Sequence, residues 1–364
     1  MKKNIHRVLL AAGLIASFNA QSGNPDRAGG AGGTQLLLNP YARSAGMMGA
    51  NSAYLKGAEA MHFNIGGLAY TQGTEMVLSR CVYLQGTDVY LNNFSIAQQV
   101  GSSDNVLAIS LTAMQFGDIP ITTESQPGGT LGTYTPQVLN IGFAYAKKFS
   151  NSINAGVLVR YISEGVTNVT ASGLGVDAGV QYQTALNPKN KIKKEDFRFG
   201  ISVRNLGPNM NYGGSGLSFR SINPATGADR RALMGAETFN LPSLVHIGVS
   251  YDIRLDKNPD TYHHRLTPSG NFNYNAFSSN VTSLGIEYGF KESFMIRGGY
   301  GWQESISTAD FRTQYYGFAG GCTIQMPVTS NGTLLGIDYA YAPTRVFNGV
   351  HNVTLRVTIG NKKS

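Results

Sequence analysis

The side chains able to do chemistry are few and poorly placed for it. His263 and His264 are adjacent, and neighbours on an extended strand point to opposite faces, so the pair cannot share a metal ion. Gly213-Gly214-Ser215-Gly216 starts like the sharp turn that exposes a serine nucleophile, but Leu217 stands where the closing glycine is needed. A hydrolase would have to assemble Ser and His from separate strands. Gly29, Gly30, Gly32 and Gly33 suggest a phosphate cradle, yet the flanking strand and helix are missing, so they read as a flexible lead-in. Cys81 and Cys322 lie far apart in the chain, without metal-ligand spacing, and read as small wall residues rather than a disulfide. The expectation is a protein that is not an enzyme, with no catalytic residue, cofactor or metal site.

A second polar set is more orderly. Arg160, Asp177, Arg198, Arg204, His246, Asp252, Glu287, Arg297, Asp338 and Arg356 each interrupt a stretch in which apolar residues recur at every second position. Val353, Leu355, Val357 and Ile359 alternate with Thr354, Arg356 and Thr358, and Leu284, Ile286, Tyr288 and Phe290 with Gly285, Glu287 and Gly289. A strand sends successive side chains to opposite faces, so one face meets lipid and the other an interior. The inward charges have two readings: a mutually paired network holding an internal segment to the wall, or a polar conduit. Either suits a continuous apolar tunnel for fatty acids poorly.

Such segments lie near 74–85, 89–100, 105–116, 136–149, 152–164, 173–184 and 195–205, then 241–254, 262–276, 281–290, 293–301, 311–325, 333–342 and 350–360. Their lengths are close to the roughly 9–11 residues of a spanning strand. Tyr145, Tyr161, Tyr182, Tyr251, Tyr288, Tyr339 and Tyr341 sit at or near segment ends, where an amphipathic ring suits the headgroup boundary. The expected fold is all-β, a 14-stranded antiparallel transmembrane β-barrel of the outer membrane. The longest connections, 117–135 and 206–240, are odd-numbered and fall outside the cell if the N-terminus is periplasmic.

The first 20 residues read as a signal peptide, with Lys2, Lys3 and Arg7 before the apolar run from Val8 to Ile15 and cleavage near Ala20. Without those three cations, 26 basic residues face 21 acidic ones, and nucleic-acid binding is not implied. Lys189, Lys191, Lys193 and Lys194 form a local cluster, read as a solvated turn or a contact for phosphate-bearing lipid or an acidic partner. Residues 21–73 do not read as wall. They are expected to form a periplasmic or plug segment for the barrel 74–364, with a short helix within 57–69. The loop 206–240 carries Met210, Tyr212, Leu217, Phe219, Leu233, Met234 and Phe239 among glycines, a partner-binding surface or a cap folded over the barrel mouth.

Leu38-Asn39-Pro40-Tyr41-Ala42-Arg43-Ser44-Ala45-Gly46-Met47-Met48-Gly49-Ala50-Asn51, followed by Phe63-Asn64-Ile65-Gly66-Gly67-Leu68-Ala69 and by Asp338-Tyr339-Ala340-Tyr341-Ala342-Pro343, resembles the PorV/PorQ-like outer-membrane proteins of the type IX secretion system, themselves similar to FadL-type transporters. The resemblance runs over most of the chain and marks Arg43, Gly46, Asn64 and Leu68 as structural plug-motif positions. Ile65 and Gly66 replace the family's usual Pro and Ala, which predicts a looser turn there. The resemblance implies a non-enzymatic component that binds secreted proteins through a C-terminal signal domain, or the translocon barrel, and hands cargo to the surface attachment machinery. The alternative is a FadL-like uptake channel for hydrophobic small molecules. Outer-membrane lipid is the expected surround in both.

Overall fold

The computed structural model describes residue 27 and residues 29–360, except 102–103, 130, 187–195, 224, 257–262, 304–313 and 330–331. The signal peptide with its cleavage site and the lysine cluster of 189–194 lie outside the described residues. Period-two patterning becomes fourteen long strands. They are β1 (Thr74–Tyr83), β2 (Val89–Gln99), β3 (Asn105–Gln115), β4 (Gln137–Lys148), β5 (Ile153–Val166), β6 (Val169–Thr184) and β7 (Phe197–Leu206). The second half holds β8 (Leu244–Tyr251), β9 (His264–Asn275), β10 (Val281–Phe290), β11 (Phe294–Gln303), β12 (Phe318–Pro327), β13 (Leu334–Ala342) and β14 (Val350–Ile359). Each pairs antiparallel with its chain neighbour, and β1 pairs with β14 from Thr74↔Ile359 to Val82↔His351, which closes the barrel and leaves no free edge.

Two strands start furthest from where the pattern predicts. β6 begins at Val169 because Thr167, at φ 47, turns the chain within two residues and lets Val166 pair with Val169. The polar run there looks like loop in sequence but is strand. β12 begins only at Phe318, after Gly317 at φ 93.

Outward positions such as Leu78, Phe143, Leu174, Leu284, Ile286 and Ile337 are exposed to the surround, while the alternate residues are buried in the lumen. Long connections, 116–136 and 207–243, gather at the end opposite the start of β1, and short turns such as 149–152 and 291–293 at the other. That sets the first end outside and the second in the periplasm.

Residues 31–73 lie against the inner wall. They form short turns of helix at Thr34–Leu37, Ala42–Ala45, Ala58–His62 and Ile65–Tyr70, so 57–69 holds two 3-10 turns rather than one helix. Irregular backbone leaves peptide groups without partners, and inward polar side chains supply them. Asn352 donates to Asn39 O (2.9 Å), Gln181 to Ser52 O and Leu55 O (3.0 Å each), and Ser202 to Phe63 O (2.6 Å). Thr354 and Glu75 accept the amides of Ala42 (3.0 Å) and Ala58 (2.9 Å). The wall thins to glycine where this lumen segment comes closest: a Cβ on Gly299 would fall 2.4 Å from the Met47 carbonyl carbon.

Candidate functional site

The lumen segment separates two cavities that share no lining residue. The periplasmic one, 320 Å³, is bordered by Arg43, Tyr54, Arg198, Asp252, Arg265 and Glu287. The extracellular one, 470 Å³, lies between the segment and the upper ends of the strands. Phe63, Tyr83, Tyr315, Leu244, Val281 and Val350 give it apolar walls, and its volume falls within the roughly 300–1,000 Å³ typical of small-molecule sites.

Paired charge dominates the periplasmic side. Arg198 binds Asp252 through both terminal nitrogens (3.1 and 2.7 Å), and Thr267 donates to the same carboxylate (2.7 Å). Glu287 receives Arg265 (2.8 Å) and Arg297 (3.0 Å), which also reaches Thr323 (2.6 Å). Fully buried Glu59 of the segment takes Arg43 (3.0 Å) and approaches Arg356 on β14 (3.7 Å), joining segment to wall by charge. The ten inward residues expected from sequence are all buried. Arg265, Glu59 and Glu75 were missed, although Arg265 continues the inward phase of β9 and was legible from it.

One cluster sits higher. β7 carries a bulge where β6 steps from Val176 to Ala178 while β7 steps from Leu206 to Val203. Asn205 takes φ 57 there, and its amide, freed from the ladder, donates to Asp177 (2.7 Å). Bulges re-aim side chains, and this one brings Arg204 to the lining of the extracellular cavity beside His62, its terminal nitrogen 3.5 Å from His62 Nδ1. His246 lines the same cavity, hydrogen-bonded to Asn273. A continuous charged lumen is therefore not what forms: the ion pairs concentrate below the segment and rings line the space above it.

The plug-motif positions from sequence are dispersed along the segment. Arg43 pairs with Glu59. Gly46 lies against β12, where a Cβ would sit 3.2 Å from Gly321 backbone. Asn64 accepts from the Gly66 amide (3.1 Å) and donates to Val180 O (3.0 Å), and Leu68 is fully buried. The turn is not loosened by Ile65 and Gly66. Asn64 caps it, and Gly66 lets it lie flush on the wall, 2.8 Å from Gln181 N to a Cβ built there.

The seven loop residues divide. Met210 is buried with Leu36, Ile162, Ala171 and Leu241, and Tyr212 and Phe239 pack onto that cluster. They seal the wall above the bulge, where 210–213 replaces the end of β7 as the partner of β6. Burial and a hydrogen bond to Glu164 (2.7 Å) push the Tyr212 hydroxyl up to about 12. Leu217 is half-buried, whereas Phe219, Leu233 and Met234 are exposed on or beside an outer hairpin, Ser218–Ile222 with Asp229–Leu233.

No protein-family model and no curated protein matches the chain. Solved structures do. The CymD monoaromatic hydrocarbon channel is 14% identical, with 89% of this chain and 99% of that one aligned at a TM-score of 0.53. The Pseudomonas putida toluene transporter TodX is 12% identical over 88% and 97% at 0.53, and a Pseudomonas aeruginosa FadL homologue 10% identical over 88% and 98% at 0.50. At such identities the likeness is one of fold: a closed fourteen-stranded outer-membrane barrel of the FadL type.

Proposed function

We propose that this barrel is a non-enzymatic outer-membrane uptake protein that receives a hydrophobic small molecule in the cavity above its lumen segment. The observation that carries the reading is the 470 Å³ space walled by Phe63, Tyr83, Tyr315 and aliphatic strand ends. Its segregation from the ion pairs below supports the same reading, since Arg204 is the one Arg, Lys, Asp or Glu among its lining residues and most of the volume can take an apolar ligand without desolvating a charge. The fold neighbours named for hydrocarbons and toluene are consistent with it.

A second reading has its own support. The motifs of 38–51 and 63–69 resemble the PorV/PorQ-like proteins, and Ile222, Leu233 and Met234 are 70%, 72% and 63% exposed on or beside the outer hairpin, a concentration of apolar surface that suits a protein partner. In that reading the barrel binds secreted cargo by its C-terminal signal domain, or the type IX translocon barrel.

One experiment separates them: purification of the tagged protein from native outer membranes in mild detergent, with mass spectrometry of co-purifying proteins and of extracted small molecules. A hydrophobic small molecule retained by the wild type and lost when Val281→Trp fills the cavity is the expected result. Recovery of a very large barrel with proteins sharing a C-terminal domain, and no cavity-dependent small molecule, would replace the uptake reading with the secretion one.

A further inference from the structure

The extracellular cavity is not apolar throughout, and its polar corner carries unbalanced charge. Arg204 lines that corner, and the carboxylate behind it, Asp177, serves two guanidiniums: Arg160 at 2.6 Å and Arg204 at 3.9 Å. The short bond belongs to Arg160. Glu164, the next acid along β5, is engaged by Gln35 (3.0 Å) and Tyr212 (2.7 Å). Arg204 is left with a long contact to Leu36 O (3.3 Å) and one to His62, although it is only 3% exposed. Its Nε has no hydrogen-bond partner among the described residues, nor has Nε2 of His246, which is 4% exposed in the same lining. A buried cation sharing one carboxylate with another is costly unless something else neutralises it. The cavity that Arg204 lines is where that group would come from.

The geometry points to a ligand that is a compact ring-bearing molecule with a single acidic group, its anionic oxygen set against Arg204 and its rings against Phe63, Tyr83 and Tyr315. The inference rests on the uptake reading and narrows it. A neutral hydrocarbon would fill the apolar part and leave Arg204 as it stands. A carboxylate placed there gains a charge-assisted hydrogen bond in a low-dielectric pocket, where such bonds are strongest. His246, holding Asn273 through Nδ1, keeps a second ring nitrogen available to a hydroxyl or amide on the same ligand.

The test is calorimetric titration of the full-length barrel in detergent with 2-naphthoate, its uncharged counterpart 2-naphthamide, and naphthalene. Wild type is expected to bind the acid at least tenfold more tightly than the amide. Arg204→Gln should abolish that ratio while keeping amide affinity, and Arg204→Lys should restore part of it. Val281→Trp, which leaves the charged corner untouched, should weaken all three probes, and the folded state of each variant is read from its heat-modifiable migration on gels. If Arg204→Gln does not fold, the wild-type ratio and the weakened binding of all three probes in Val281→Trp still decide. Equal binding of acid and amide, or unaltered binding in Val281→Trp, overturns the inference. No binding of any probe to the folded wild type overturns the uptake reading with it, whereas naphthalene and amide binding without acid preference leaves that reading standing.

Discussion

Below the lumen segment, Arg198, Arg265 and Arg297 each reach a carboxylate within about 3 Å, and above it Arg204 does not. Strands β7 to β11 run past both regions and present side chains to them in the same inward phase. The lower one spends those positions on fixing the segment, since Arg356 reaches its Glu59 and Glu75 accepts its Ala58 amide. The upper one leaves space and one incompletely matched cation. A buried cation with a carboxylate at contact distance fixes one arrangement, whereas the 3.9 Å contact of Arg204 is the feature from which an acidic ligand is proposed.

The largest effect should come from the lower region. Glu287→Ala leaves Arg265 and Arg297 facing each other's charge across an empty position and is expected to cost about 3–5 kcal/mol, as for breaking a buried pair. Gln303→Ala at the rim of the upper cavity should stay within about 0.5 kcal/mol. Urea unfolding in detergent, followed by loss of heat-modifiable migration, measures both. Equal costs would erase the distinction between the two ends.

One residue away from Glu287, on the other face of β10, Ile286 is 48% exposed. Ile286→Arg places a cation against hydrocarbon and is expected to destabilise by about 2–4 kcal/mol near the midplane. Reconstitution into lipid rather than detergent reads this most directly. A neutral outcome would remove the lipid face from β10, and with it the registration of every inward residue on that strand.

Gly299→Leu addresses the segment itself. A Cβ there would meet the Cα, C and O of Met47 within 2.6 Å, so the segment must move or the wall must bend, at about 1–3 kcal/mol for overpacking. The expected result is a closed barrel whose 31–73 segment becomes sensitive to trypsin at Arg43 or Lys56, with wild type resistant. Resistance in the variant would mean the close approach is not needed to seat the segment.

The strands and inward charges were legible because both depend on period-two alternation, a property of the local chain. Arg160, Asp177 and Asp338 needed only their phase. The upper cavity was not legible as a cavity. Its lining comes from the segment, from β1 and β7 and from strands and connections of the second half, and only closure brings Phe63, Leu244 and Val350 together. A partial signal existed: Val281 and Val350 are apolar residues in inward phase at the extracellular ends of their strands, interleaved with polar Asn273, Asn275, Gln303 and Asn352. The bulge that turns Arg204 was hidden because Arg204-Asn205 fits an ordinary strand ending. The loop residues could not be sorted from composition, since Met210 and Met234 differ only in what the fold places beside them.

The smallest effect belongs to an acid that shares the periplasmic end without sharing its burial. Asp256 is half-buried at the surface, and its carboxylate accepts the amides of His263 and His264 at 3.0 Å each. Those hydrogen bonds hold its pKa below the usual carboxylate value. A depressed folded-state pKa means that the turn's extra order is fully present above the ordinary carboxylate range and is lost as pH falls through the lowered value. Hydrogen exchange of a peptide spanning 253–266, corrected for the intrinsic pH dependence of exchange, should show protection falling over that acidic window, and Asp256→Ala should remove the dependence. Urea unfolding of the whole barrel should not follow the same curve, because a carboxylate at the surface is screened by solvent while buried Glu287 and Asp252 are not. A global transition that tracked Asp256 would show that the matched network extends to the periplasmic surface, and the boundary between fixed and open regions would have to be redrawn there.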